Sequence, residues 1–206
     1  MKVGKILLPV CAENCYLAIN DDLKKSIIID PGSAPERIKA AVADSGTKPV
    51  AILLTHGHFD HASIAKEIAE EYGVKIYAYE GERVTLENPQ YNLSMMMGAA
   101  EAYHADVFLA DNEEIDLEGF HVKCLFTPGH TPGGCCFYFP EEDIVFTGDT
   151  LFCGSVGRTD FPGGSMSQLV NAVKEKLMTL PDDTICYPGH DTPTTIGDER
   201  MYNPYL

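Results

Sequence analysis

The chain has 206 residues, 45% of them hydrophobic and 22% charged, which excludes a disordered or collagen-like protein and indicates a globular one. A count of 31 acidic against 15 basic residues gives a formal net charge of −16; because this charge repels a phosphate backbone and no Lys/Arg-rich block is present, no nucleic-acid partner is expected. No apolar stretch approaches the roughly 20 residues of a membrane-spanning helix, so no membrane partner is expected either.

The amino-terminal segment is predicted to form strands rather than a secretory signal, because Pro9 interrupts its short apolar run and Glu13 follows soon after. The seven cysteines form no C-x-x-C pair, and an odd number cannot all be bridged within one chain. A reducing, cytoplasmic location is therefore expected. The alternative is a redox or metal pair of neighbouring cysteines, either Cys11 with Cys15 or Cys135 with Cys136.

The hydrophobic pattern predicts a run of strands at the start, followed by alternating strands and helices. Strands are expected at 3–10, 16–20, 26–30, 50–54, 75–78, 121–126, 135–139, 143–146 and 184–187. Helices are expected between Pro35 and Gly46, over 62–72 and over 166–178. No linker or shift in composition interrupts the interior, which favours a single domain over 1–206 with strand layers covered by helices.

The segment from Glu80 to His104 fits no single element. Asn88-Pro89 marks a break, and several large, flexible side chains follow it, with three methionines in succession at 95–97. Two interpretations remain open, a flap that faces the substrate and a pair of short helices at the edge of the core. The adaptability of methionine suits both.

A dense group of metal-binding side chains follows the apolar strand 50–54. His56, His58, Asp60 and His61 lie within six consecutive positions. Imidazole nitrogens and carboxylate oxygens are ligands that zinc and iron accept, and a loop at a strand end can direct alternate side chains to one point. Gly57 lets the backbone turn there without a side-chain clash.

Three more candidate ligands follow later strands. His130 and His190 each come directly after Pro-Gly, and Asp149 lies in Gly148-Asp149-Thr150 after the strand 143–146. Taken singly, each would be read as a turn residue. Taken together with the first group, five histidines and two aspartates at four strand ends suffice for two metal ions if one carboxylate bridges them. The remaining histidines, His104 and His121, are predicted to lie outside the site.

The motif HGHFDH, followed in order by PGH, GDT and a second PGH, resembles the metallo-β-lactamase superfamily. The resemblance implies an α+β fold, a four-layer αββα sandwich with a metal site at one edge of the strands. It implies that the first metal is held by His56, His58 and His130, the second by Asp60, His61 and His190, with Asp149 bridging. His58 separates the chain from the diiron flavoprotein branch, which has Glu there, and Asp149 replaces the Cys of many true β-lactamases.

Two subfamilies resemble the chain more closely. The stretch 151–164 and the ending 199–206 are similar to short bacterial type II glyoxalases, thioesterases that act on S-acylglutathione. The longer glyoxalases carry a C-terminal helical domain with cationic glutathione contacts, and this chain stops before such a domain. The run 157–161 also resembles the persulfide dioxygenases, which would use one iron held by His56, His130 and Asp149.

The resemblance implies a metal-dependent thioester hydrolase with a small-molecule substrate and two divalent metal ions, zinc in first place with iron and manganese as alternatives. In this hypothesis a hydroxide bridging the metals attacks the thioester carbonyl. Asp60 is expected to be both a ligand and the group that orients the nucleophile or accepts its proton. Arg158 is the candidate for binding an anionic substrate group, and an internal ion pair with Asp160 is the alternative.

Overall fold

A computed structural model describes residues 1–206 and contains two six-stranded sheets. Along the first sheet the strands follow chain order. They are β1 (Lys2–Leu7), β2 (Asn14–Asn20), β3 (Lys25–Ile29), β4 (Lys48–Leu53), β5 (Lys75–Tyr79) and β6 (Val107–Leu109). The first three pair antiparallel and β3 to β6 pair parallel. The carboxyl ends of β3, β4 and β5 therefore lie at the same edge.

The second sheet is built from later strands. They are β7 (Glu114–Asp116), β8 (His121–Phe126), β9 (Cys135–Phe139), β10 (Ile144–Gly148), and, after a hairpin of β11 (Leu151–Phe152) and β12 (Ser155–Val156), β13 (Ile185–Pro188) and β14 (Thr194–Thr195). Their order is β14-β13-β10-β9-β8-β7, with β10 and β13 parallel and the other pairs antiparallel. As a result β8, β10 and β13 run in the same direction and end at one edge.

Six α-helices complete the chain. They are α1 (Pro35–Ser45), α2 (Phe59–Ala62), α3 (Ala65–Tyr72), α4 (Arg83–Leu86), α5 (Met166–Ala172) and α6 (Ile196–Tyr202). Turns of 3-10 helix span Glu80–Glu82 and Ser94–Met97, and a π-helical turn, Val173–Leu177, continues α5. No helix has the length and apolar character needed to cross a membrane.

Three hydrophobic clusters define the layers. Ile38 of α1 and Ile68 of α3 pack on one face of the first sheet, against side chains such as Ile52. The two sheets pack face to face around aromatic and branched side chains that include Phe137 and Ile27. On the outer face of the second sheet, α5 and α6 cover a third cluster. Full burial of such a side chain contributes about 1.5–3 kcal/mol. The predicted four-layer αββα sandwich is confirmed.

The nine predicted strands are present, β8 and β9 with the predicted bounds and the other seven with shifted ends, and five strands of two or three residues were not predicted. β1 ends at Leu7 instead of residue 10 because the chain turns at Cys11 and Ala12, which have φ of 53° and 54°. The helix predicted over 62–72 is α3 alone, since α2 begins at Phe59 and a turn separates the two.

None of the seven cysteines is bridged. Cys135 and Cys136 are neighbours on β9, where successive side chains point to opposite faces, so one lies between the sheets and the other under α5. Cys11 is exposed whereas Cys15 is buried beneath the helices of the first sheet. Neither candidate pair therefore has the geometry of a redox or metal pair.

Candidate metal centre

The seven predicted ligands meet at the edge where the strands of both sheets end. The loop after β4 carries His56 and His58, the helix α2 that follows it carries Asp60 and His61, and the loops after β8, β10 and β13 carry the other three. Because the sheets face each other with these edges aligned, loops that are far apart in the chain converge. The expected meeting of the side chains at the strand ends is what the structure shows.

The first group of ligands consists of His56, His58 and His130, whose ligand atoms all lie within 4.8 Å of one another. His58 Nδ1 and His130 Nε2 are 3.0 Å apart. His130 Nδ1 lies 2.7 Å from the Arg158 carbonyl oxygen, which can only accept, so Nδ1 carries the proton and Nε2 has a free lone pair. The three rings are buried.

The second group consists of Asp60, His61 and His190, again within 4.8 Å of one another. His190 Nε2 lies 3.7 Å from Asp60 Oδ2. Asp149 lies between the two groups, with Oδ1 at 3.5 Å from His61 Nε2 and Oδ2 at 3.4 Å from His130 Nε2. Its position is that of a carboxylate able to bridge two ions.

Several polar atoms of this centre are buried without a hydrogen-bond partner. They are the Nε2 atoms of His56, His58 and His61 and the Oδ1 atom of Asp149. An unsatisfied buried polar atom costs about 1–3 kcal/mol, and a divalent cation would remove the deficit. Nitrogen and carboxylate donors are the types that zinc and iron accept. The residues therefore fit two divalent metal ions.

The surroundings favour the neutral form of the three histidines of the first group and the protonated form of His61. Burial lowers the pKa of His56, His58 and His130, and neighbouring histidines lower the first two further. A neutral imidazole is the form that binds a metal. At His61 burial acts in the same sense, but Asp60 and Asp149 outweigh it and raise the pKa well above its usual value.

Asp30 supports the second group and was not singled out from the sequence. Its Oδ1 accepts the Thr55 N–H at 2.8 Å, and its Oδ2 accepts the Thr55 hydroxyl at 2.6 Å and lies 3.1 Å from His61 Nδ1. These contacts also occupy the carboxylate, so a third grouping, of Asp30 with His56 and His61, is not a separate metal site. The sequence feature that could have identified Asp30 is its place in Asp-Pro-Gly, directly after the apolar strand β3.

Two further buried carboxylates lie near the centre. Glu13 is fully buried, its carboxylate oxygens have no hydrogen-bond partner, and Oε1 lies 3.9 Å from His61 Nδ1. Burial raises its pKa well above the usual range. Glu82 is also fully buried and accepts hydrogen bonds from the loops on both sides of the first group. No local pattern in the sequence marked either residue.

A cavity of about 440 Å³ opens onto both groups. Five ligands line it together with apolar side chains; the latter are Phe59, Leu93, Phe152, Val156 and Phe161. Leu93 comes from the unassigned segment 80–104, whose short helical turns fill the core at Leu86 and expose the methionines at 95–97. The short helical turns agree with the interpretation as short helices at the edge of the core, whereas the flap stays a prediction.

Arg158 is the one basic side chain that lines the cavity. Its Nε and one terminal nitrogen each lie 2.7 Å from a carboxylate oxygen of Asp160, and its guanidinium lies 4.1 Å from the centre of the Phe161 ring. The hydrogen bond from Arg158 lowers the Asp160 pKa to about 2. The predicted ion pair is therefore present at the cavity wall, and substrate binding by Arg158 stays a prediction.

His104 and His121 lie outside both ligand groups, as predicted. His121 is at the start of β8, where its Nε2 is 3.5 Å from Glu114 Oε2 on the neighbouring strand. His104 lines a separate surface hollow beside Asp106.

Comparison with known proteins finds relatives of this chain. The family model described as "Metallo-beta-lactamase superfamily" matches residues 8–190. Hydroxyacylglutathione hydrolase GloC of Haemophilus influenzae is 38% identical over 205 residues, which cover 97% of this chain and 96% of that one.

Solved structures superpose over nearly the whole chain. The B3 metallo-β-lactamase BLEG-1 has a TM-score of 0.93 and 35% identity, covering 100% of this chain and 99% of that one. TTHA1623, solved in a di-iron-bound form, has a TM-score of 0.84 and 36% identity, covering 98% and 100%. ETHE1 from Myxococcus xanthus has a TM-score of 0.83 and 28% identity, covering 99% and 84%.

Proposed function

Because the chain belongs to the metallo-β-lactamase superfamily and is a metal-dependent hydrolase by its relatives, we propose that it cleaves a thioester, in the manner of a type II glyoxalase acting on S-acylglutathione or a similar thioester. The observation that carries the proposal is the pair of ligand groups joined at Asp149 and open to one cavity. Two divalent cations, zinc before iron or manganese, are the proposed cofactors, and the di-iron form of TTHA1623 supports a two-ion site.

The chemistry divides between the ions and the residues of the chain. When bound, the cations supply Lewis acidity and lower the pKa of a water from 15.7 to about 7. His56, His58 and His130 hold one ion position, His61, His190 and Asp60 the other, and Asp149 lies between them. Asp60 lines the cavity, so its carboxylate is placed to orient the attacking water and accept its proton.

The cavity wall suits a thioester. Phe59, Phe152 and Phe161 give the acyl group an apolar surface and keep bulk water from the carbonyl. The thiolate that leaves needs little protonation, so no further general acid is required. Arg158 is proposed as the contact for one anionic group of the thiol carrier, within reach of the centre.

A β-lactam is the substrate class that most needs a direct comparison. BLEG-1 is described as a B3 metallo-β-lactamase, whereas GloC is described as a hydroxyacylglutathione hydrolase, at similar identity to this chain. Asp149 occupies the place of the Cys found in many true β-lactamases, and this favours the thioester.

A persulfide dioxygenase is the second candidate. His130 Nε2 lies 3.4 Å from Asp149 Oδ2, and His56 lies beside His130, so two histidines and one carboxylate can hold a single iron with open positions. The likeness to ETHE1 supports this candidate.

The test is hydrolysis of S-lactoylglutathione by purified protein loaded with zinc, iron or manganese. Loss of thioester absorbance is expected, and the His58→Ala variant should abolish it because one ligand of the first group is lost. The Asp60→Asn variant should lose most turnover. Wild-type activity in Asp60→Asn would remove the proton-accepting role from that residue.

Parallel assays separate the competing substrates. A β-lactam is offered to the same samples, and oxygen consumption is followed with glutathione persulfide. Oxygen uptake by iron-loaded protein without thioester cleavage would establish the second candidate, and β-lactam cleavage alone would overturn the thioester proposal.

A further inference from the structure

Glu82 is a fully buried carboxylate that no step of the proposed reaction uses. It ends the 3-10 turn Glu80–Glu82 at the start of α4. Its Oε1 accepts the Gly57 N–H at 2.7 Å, and its Oε2 accepts the Thr131 hydroxyl at 3.0 Å and the Gly133 N–H at 2.9 Å. One carboxylate thus connects two loops that are far apart in the chain.

These two loops carry the first ligand group. Gly57 stands between His56 and His58, and Thr131 directly follows His130. The rings that the loops present to each other are separated by 3.0 Å, from His58 Nδ1 to His130 Nε2. The hydrogen bonds of Glu82 therefore act on the backbone positions from which these histidines project.

The segment around Glu82 is packed too closely against both loops to shift independently. A Cβ atom on Gly57 would lie 2.9 Å from the Leu86 backbone nitrogen, and one on Gly133 would overlap the backbone of Gly81 and Glu82. Glu82 does not line the cavity, so it touches neither substrate nor reacting atoms. Its influence must pass through the two loops.

We propose that Glu82 is a positioning residue that fixes the spacing of His58 and His130 and thereby sets the metal affinity of the first ligand group. Metal sites tolerate ligand distances within about 0.2 Å, so a small separation of the loops is enough to weaken binding. Residues that orient ligands typically contribute 10–100-fold in metal affinity. The inference rests on the metal centre of the proposed function but on none of its substrates.

The test is a metal titration that reports on each group separately. Glu82→Gln is made in a His190→Ala background, which leaves the first group, and in a His56→Ala/His130→Ala background, which leaves the second. The amide keeps the shape of the side chain but has an NH₂ group in place of one oxygen. In one orientation this NH₂ faces the Gly57 N–H and in the other it faces the Gly133 N–H, so one hydrogen bond is lost in either case. Cobalt(II) binding is followed by its visible absorption, which reports ligand geometry without any turnover.

Glu82→Gln is expected to weaken cobalt(II) binding about 10–100-fold in the His190→Ala background and by less than about threefold in the His56→Ala/His130→Ala background. Glu80→Gln is the matched control, the same change at an exposed position of the same turn, and should alter neither affinity. Equal weakening of both groups, or none, would overturn the proposal.

A second variant decides the case if Glu82→Gln does not give a native circular-dichroism spectrum. Thr131→Val removes one of the three donors at nearly constant volume, and should weaken the first group alone by about three- to tenfold. Thioester hydrolysis is measured separately, so a first group that depends on Glu82 in a protein without thioesterase activity would leave this inference standing and reject only the substrate.

Discussion

Replacing Asp30 by Asn should weaken the second ligand group while leaving the first intact. Asp30 Oδ2 lies 3.1 Å from His61 Nδ1, and His61 Nε2 points to Asp149 Oδ1 at 3.5 Å. A proton held at Nδ1 by the carboxylate leaves Nε2 free to bind a metal. In Asp30→Asn, the Thr55 N–H holds the amide oxygen at the Oδ1 position, so the amide NH₂ lies at the Oδ2 position. An NH₂ group cannot accept the hydrogen bond from His61 Nδ1.

The size of the effect follows from the contact that is lost. A hydrogen bond to a charged group contributes about 1.5–3 kcal/mol, which corresponds to about 10–100-fold in affinity and agrees with the usual effect of residues that orient metal ligands. The backbone should not respond, since Asp30 has φ of 51° and Asn adopts this conformation as readily as Asp. The loss therefore reports the His61 contact.

The assay is competition with a coloured chelator, performed with Asp30→Asn in a His56→Ala/His130→Ala background, where only the second group is left. Asp143→Asn is the matched control, because Asp143 has the same φ of 51° but is exposed and remote from the centre. Unchanged affinity in Asp30→Asn, or an equal loss in a variant that retains only the first group, would refute the reasoning.

Three further predictions concern the cavity and its edge. Gly189→Ala should abolish metal binding, because the added Cβ would lie 2.6 Å from His61 Cε1. Metal content after dialysis checks this. The control is Gly4→Ala, whose added Cβ has its nearest neighbour at 3.7 Å. Arg158→Ala should raise KM for S-lactoylglutathione more than it lowers kcat, and an unchanged KM would leave only its ion pair. Burial and nearby carboxylates raise the Cys11 pKa to about 11, so alkylation of its thiol should be slow at neutral pH and become faster as the pH rises to that value. Bound metal offsets the charge of those carboxylates and should also accelerate alkylation, which mass spectrometry follows. An alkylation rate that does not change when metal is added would contradict this.

The ligands could be predicted because their signal is local. His56, His58 and His61 are adjacent in sequence, and Pro-Gly-His after a strand repeats at His130 and His190. An apolar strand followed by a polar loop indicates both where the strand ends and which side chains lie at its end. The layers of the sandwich followed from the same alternation of strands and helices, together with the family resemblance.

The supporting residues could not be predicted because their signal lies in distant pairings. Glu82 meets Gly57 and Gly133 across 25 and 51 positions of the chain, and nothing near Glu82 distinguishes it from the exposed Glu80. Strands of two or three residues, such as β11 and β14, were missed for a related reason: they are too short for an alternating pattern, and pairing with a neighbour defines them.

The two ligand groups have separate supports, and this bears on how the centre fills. Asp30 holds His61 from beneath, and Glu82 holds the loops of His58 and His130; each carboxylate is buried, and each faces three hydrogen-bonding groups that offset its loss of water. Asp30 makes no direct hydrogen bond to the first group and Glu82 makes none to the second, while Asp149 lies between the two groups. An ion leaving one group therefore removes a charge at Asp149 but leaves the hydrogen bonds that position the other three ligands in place. On this arrangement a half-filled centre should keep the geometry of its occupied group, so occupancy can vary with metal supply without loss of the fold.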